Sequence, residues 1–219
     1  MQPTRFGGAA FDAEPQARHR PGVEVVRVAP EEYGRVDLRA HSLLADVPLH
    51  DVWAVDLPGD GPRRSIVDLR SLLERESLTG GNRAVRFLIG LRLCLGRVFG
   101  WDREPAQASR ESLLRRLSAA DRESSLITPG TQEGLFQVLF VSPRESISEI
   151  RNATVHAFSV FALVDRSSSY RLYWAIYVRP VGRITAWYMR LIDPFRRFLI
   201  YPAVLRHIRS AWSRSEAAA

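Results

Sequence analysis

The chain has 219 residues, 46% hydrophobic and 10% aromatic, which excludes a mostly disordered protein and allows one domain with a sizeable core. The formal charge is +7, but all 31 basic residues are arginine, scattered without a run and without a nucleic-acid motif of defined spacing, so charge alone assigns no nucleic-acid partner. A single cysteine, Cys94, excludes an internal disulfide and a multi-cysteine zinc site.

Residues 1–22 mix Gly, Ala, Pro, Arg and His with no apolar period and no signal-peptide pattern, so a flexible tail and a cytoplasmic location are expected. Residues 23–213 are expected to form one domain, and residues 214–219 a disordered tail. The run Val23 to Val28 reads as a first strand, bounded by Pro21-Gly22 and Pro30. Asp37 to Leu44 reads as a short helical or irregular link. His50 to Leu57 alternates, with Val52, Ala54 and Asp56 on one face and Trp53, Val55 and Leu57 on the other, and the cluster Pro58 to Pro62 stops it. Ser65 to Glu76 carries Ile66, Leu69, Leu72 and Leu73 at helical spacing.

Arg83 to Phe99 is the most apolar stretch, yet Arg86, Arg92 and Arg97 make it unfit to span a bilayer. It reads as a helix covering a sheet or lying on a membrane surface, with Cys94 as a small buried hydrophobe. Ser109 to Ala120 is a further short helix or linker with Leu113, Leu114 and Leu117 on one face.

Four strands follow. Leu135 to Val141 is apolar on both faces except for Gln137. Ser146 to Asn152 is more polar and reads as an exposed or edge strand. Thr154 to Val164 is apolar on both faces and should lie centrally. Tyr170 to Arg179 alternates, Leu172, Trp174, Ile176 and Val178 against Arg171, Tyr173, Ala175, Tyr177 and Arg179. From Arg183 to Trp212 apolar and aromatic residues recur at helical spacing. Asp193-Pro194 fits an N-cap and a helix restart, and Pro202 must kink or restart the rest.

Chemistry-bearing residues are few. His156 lies mid-strand among apolar neighbours, either a satisfied core histidine or a polar group that orients a ligand. Tyr173 and Tyr177 are surface cross-strand aromatics or the wall of a cavity. Gln137 and Asn152 are edge residues or ligand contacts. Arg190, Arg196 and Arg197 are a solvated helix face or a grip for an anionic head group. No Gly-x-Ser-x-Gly elbow and no dinucleotide fingerprint occurs, so no triad and no cofactor is assigned. The carboxylate pairs Asp56 with Asp60 and Glu145 with Glu149 sit in strand and turn settings that give no reason for a raised pKa. The five histidines lie far apart, and no metal site is assigned.

The segments Asp51 to Pro58, Leu91 to Asp102, Glu149 to Asn152 and above all Pro194 to Pro202 resemble the domain of unknown function 2867 family, grouped with the START-like or SRPBCC helix-grip folds. The likeness spans roughly Val23 to Ile208. It implies an α+β fold: a curved antiparallel sheet gripping a long, proline-kinked C-terminal helix, with extra helices inserted between the early strands. It also implies an apolar cavity between sheet and helix, since that superfamily binds lipids, sterols, polyketides and other hydrophobic small molecules. Some relatives carry the domain behind a nicotinamide-binding, short-chain-dehydrogenase-like domain, and the family has no agreed catalytic residues to transfer.

Three functions compete. The favoured one is a hydrophobic small-molecule binder using Gln137, Asn152, His156, Tyr173, Tyr177 and Arg190. The second is an enzyme or an accessory to a separate nicotinamide-dependent reductase, which His156 beside a carboxylate at the bottom of a cavity would favour. The third is a peripheral-membrane or protein-interaction module using Arg83 to Phe99 or Phe195 to Trp212. The oligomeric state stays open.

Overall fold

The computed structural model describes residues 24–59, 64–75, 90, 112–151, 155–180 and 183–217; side chains are described for these except 183–188 and 216–217. The expected segment 83–99 apart from Gly90, the tail 1–22 and Asn152 lie outside the described residues.

Seven antiparallel strands form one sheet: β1 (Val25–Arg27), β2 (Leu49–Pro58), β3 (Gln132–Glu133), β4 (Phe136–Val141), β5 (Glu145–Arg151), β6 (His156–Arg166) and β7 (Ser169–Arg179). The order is β1-β2-β7-β6-β5-β4-β3. The chain from β3 to β7 is thus a meander of consecutive hairpins, and the early pair β1–β2 is added to the free edge of β7, with Leu57 opposite Tyr170 and Trp53 opposite Trp174.

Side chains alternate across every strand, so the sheet has two apolar faces, and each is covered. Val52, Ala54, Phe158, Tyr173 and Tyr177 pack under α1 (Pro30–Gly34), α2 (Arg39–Leu43) and a 3₁₀ turn, Leu113–Arg116. Val55, Leu57, Leu163 and Leu172 pack under α3 (Ile66–Arg75) and the last helix. A short helix α4 (Ala119–Ser124) carries a capping box, in which Ser118 Oγ accepts from Asp121 N and the Asp121 carboxylate accepts from Ser118 N.

The C-terminal helical segment has three parts. Helix α5 (Arg183–Phe195) runs through Pro194, a five-residue π turn spans Arg196–Ile200, and α6 continues from Tyr201 to Ala217. Asp193 is therefore no N-cap. Proline inside a helix removes one backbone donor and crowds the preceding turn, and the widened turn follows directly after it. Pro202 falls in the first turn of α6, where its missing N–H interrupts little. Trp212 anchors the far end: it is fully buried, donates from Nε1 to Pro58 O at 2.8 Å, meets Tyr170 edge-on, and lies under the Arg64 guanidinium. The molecule is the α+β helix-grip arrangement, a sheet holding a long C-terminal helix against one face.

One strand departs from expectation. The polar run of β5 is neither exposed nor at an edge, because it lies between β4 and β6 with Glu145, Ser146, Ser148 and Glu149 all buried. Each charged group there has a partner, which is the condition for burying it.

Candidate functional site

The face of the sheet under α1 and α2 holds a polar core. Glu145 accepts from the backbone N–H groups of Arg39 and Ala40 at 2.7 and 3.1 Å, closing the start of α2. Burial still pushes its carboxyl above the ordinary value, against these two donors, so the strand setting does raise one carboxylate. Four residues along, the same face carries Glu149. Its carboxylate accepts a short hydrogen bond from Ser112 Oγ, lies 3.1 Å from His156 Nε2 and 3.5 Å from Arg151 Nε. Burial opposes its ionised form, but these donors outweigh it and hold its pKa below the ordinary value. Glutamate stands between serine and histidine here, so this group lacks the nucleophile–base–orienter order in which histidine is the middle member.

Three of the expected ligand contacts belong to this packed face. His156 is buried between Glu149 and the ring of Phe158, 4.5 Å away centroid to centroid. Tyr173 donates to Glu32 Oε1 at 3.1 Å and meets the Tyr33 ring, and Tyr177 packs in the same layer. They face away from the C-terminal helix, since residues 173 and 177 alternate with Trp174 and Ile176. Gln137 donates from Nε2 to Gly130 O at 3.2 Å and accepts from Arg151 at 3.3 Å, and Arg190 is exposed on α5. The histidine does stand beside a carboxylate, but neither group lines the cavity on the other face.

That cavity, about 370 Å³, lies between the sheet and the pair α3–α6. Its walls are Ile66 and Leu69 of α3, Phe161 and Trp174 of the sheet, Ile200 at the end of the π turn and Val204 of α6. Phe161 and Trp174 stack at 5.2 Å along one wall and do not fill the space. Ser146, Ser148 and Ser159 form a row of hydroxyls on adjacent strands, in register as Ser148 opposite Ser159. Ser146 accepts from Arg70, and Ser159 accepts from Trp174 Nε1 at 2.9 Å. Arg70 also pairs with Glu133 at the rim, while its buried Nε makes no hydrogen bond among the described residues. Local pattern does not reveal this row, because Ser146 and Ser148 lie in a polar strand that reads as surface and Ser159 is a single hydroxyl in an apolar one.

Behind the Trp174 wall lies a second polar group. Tyr201 stacks on Trp53 at 5.3 Å and meets Trp174 edge-on at 4.9 Å. Burial pushes its hydroxyl well above the ordinary phenol range, against the pull of the adjacent Arg196. Arg196 hydrogen-bonds the Tyr201 hydroxyl, stands over its ring, and donates to Asp193 Oδ1 at 3.3 Å. His50 Nε2 lies 2.9 Å from the same Asp193 oxygen and 3.6 Å from Asp51 Oδ2. Adjacent residues of a regular strand point to opposite faces, but β2 has a register shift between Leu49 and Asp51, which brings His50 and Asp51 to one group. The segments Asp51 to Pro58 and Pro194 to Pro202, two of those carrying the family resemblance, meet at this spot through Asp51, Trp53, Arg196 and Tyr201. No spacing rule finds such a set, because its halves are far apart in the chain.

Among the described residues no helix is long and apolar enough to cross a membrane. No curated protein and no solved structure matches the chain. One family model does, described as "Protein of unknown function (DUF2867)", over residues 43–203, which takes in β2, α3, the meander, α5 and the π turn. The chain belongs to the DUF2867 family of proteins of unknown function.

Proposed function

We propose that the protein holds a hydrophobic small molecule, of the lipid, isoprenoid or polyketide class, between the sheet and its C-terminal helix. The observation that carries this reading is the cavity of about 370 Å³, within the range of small-molecule sites, with apolar walls and a single row of hydroxyls. Serine hydroxyls and the Arg70 side chain in the cavity lining supply the few polar contacts that orient an otherwise apolar guest. The ligand contacts are then Ser148, Ser159 and Arg70, in place of His156, Tyr173 and Tyr177. Native mass spectrometry of the purified chain, followed by organic extraction, tests the reading. A stoichiometric apolar adduct supports it, and an apo mass with no uptake from a panel of fatty acids, isoprenoids and polyketides removes it.

A second reading rests on Leu191, Phe195 and Phe198, which are 50%, 49% and 82% exposed along one helical segment that also carries exposed Arg190. Apolar and arginine side chains in that arrangement fit the interface of an anionic membrane. Co-sedimentation with phosphatidylserine vesicles separates the two readings, because only the second requires Phe198.

A further inference from the structure

We propose that His50, Asp51 and Asp193 form a binding site for one divalent transition-metal cation. Each offers one ligand atom, and the three lie within 4.8 Å of one another. Metal–ligand distances of about 2.1 Å put neighbouring ligand atoms about 3.0–3.4 Å apart in tetrahedral or octahedral geometry. The observed 2.9 Å from His50 Nε2 to Asp193 Oδ1 and 3.6 Å to Asp51 Oδ2 bracket that range.

Asp51 is the second and independent observation. Its side chain is 0% exposed, yet neither carboxylate oxygen makes a hydrogen bond among the described residues. The nearest side-chain nitrogens are His50 Nε2 at 3.6 Å and that of Arg196 at 3.9 Å, both beyond hydrogen-bond reach. The Tyr201 hydroxyl also faces Asp51, but no donor reaches either oxygen in hydrogen-bond geometry among the described residues, so the buried carboxylate is under-satisfied and a cation held between it, Asp193 and His50 completes its partners. The solvent side of the group is formed by His50 and Asp193, each about one-fifth exposed, and a cleft of about 340 Å³ beyond the end of β1 has residues His50 and Asp51 in its lining.

One imidazole and two carboxylates suit a borderline cation such as Zn²⁺ and leave at least one position open, the pattern of a site that holds water or a substrate oxygen as well. Arg196 is the competing charge. Its guanidinium is held by Tyr201 and by Asp193, so a bound cation displaces only its long approach to Asp51 and shares Asp193 with it.

The test uses the full chain, stripped with a chelator, dialysed against Zn²⁺ and measured by elemental analysis. The expected result is one Zn²⁺ per chain, with His50→Gln and Asp193→Asn each weakening it at least about tenfold. Both side chains are only about one-fifth exposed but lie at the rim of the group, so these variants are gentler than one at Asp51. Arg196→Gln removes the competitor and should tighten binding about threefold or more. Zinc binding that is sub-stoichiometric, or unchanged in His50→Gln and Asp193→Asn, or weakened by Arg196→Gln, overturns the proposal. None of these outcomes depends on whether the apolar cavity is filled.

Discussion

Trp53 of β2 and Tyr201 at the start of α6 stack with their ring centroids 5.3 Å apart and 24° between planes. This pair joins the early half of the chain to the C-terminal helix at the point where the π turn ends, so the position of the helix on the sheet rests on it. Tyr201→Ala is expected to lower the unfolding free energy by about 3–5 kcal/mol, since a fully buried aromatic is removed, and Trp53→Ala by about 2–3 kcal/mol. Urea denaturation checks both. The pair is coupled if the double variant loses less than the sum.

The two glutamates of β5 should tilt stability with pH in opposite directions. Glu149 has a folded pKa below the ordinary value, so its contribution is present above the ordinary carboxylate pKa and is lost as pH falls through its lowered value. Glu145 has a raised folded pKa, so its contribution is complete below the ordinary value and is lost as pH rises through the raised one. Below the ordinary carboxylate pKa, Glu149→Gln should therefore lose stability relative to the parent as pH rises, and above it Glu145→Gln should gain. Urea midpoints at a series of pH values, compared as slopes, measure this directly. Parallel slopes for both variants would contradict it.

Asp121 does two jobs on one short helix, capping α4 and pairing with the Arg39 guanidinium at 2.7 and 2.9 Å. The hydrogen bond from Arg39 holds its carboxyl down at about 2. Its contribution is present above the ordinary carboxylate pKa and lost as pH falls through about 2. Asp121→Ala should destabilise by about 1–3 kcal/mol at neutral pH, from the lost cap and charged hydrogen bonds. At about pH 2 the difference from the parent should shrink by half or more.

Val204 lies on the helix wall of the cavity and is nearly fully buried. Val204→Phe should fill part of the space, leaving the thermal midpoint within a few degrees of the parent or above it. It should also reduce the yield of any extracted apolar ligand several-fold. Retained ligand in a folded Val204→Phe protein would place the guest elsewhere.

Phe198, at 82% exposure, makes a clean control for the membrane reading. Phe198→Ser is expected to change unfolding free energy by no more than about 0.5 kcal/mol. If the helical face docks on anionic lipid, the same variant should co-sediment with phosphatidylserine vesicles at a fraction of the parent's level.

Much of the architecture is legible in the chain because it is local. The alternation of residues 170–179 and the double-sided apolar run 154–164 fix β7 and β6, and the spacing of Ile66 and Leu69 fixes α3. Where a residue's partner is remote, local pattern misleads. β5 reads as an edge because its glutamates and serines are polar, and what buries them comes from Ser112, His156, Arg39 and Arg70, outside the strand. Asp193 before Pro194 has the form of a cap, but its carboxylate faces His50 and Arg196. Alternation puts Tyr173 and Tyr177 on one face of their strand, as the structure has them, but alternation alone does not say which face the helix covers.

The sheet order has a consequence for synthesis on the ribosome. β2 emerges early, yet its long partner β7 is made only after everything from α3 to β6. Until then only the three residues of β1 pair with it, and Trp53, Val55 and Leu57 face solvent on a nearly open edge. Consecutive hairpins of the meander close over short loops, so the C-terminal half should order first and recruit β2 across the longest chain separation of any strand pair in the sheet. Nascent chains stalled before Tyr170 are therefore expected to keep the long edge of β2 unpaired, and those that have released β7 to cover it.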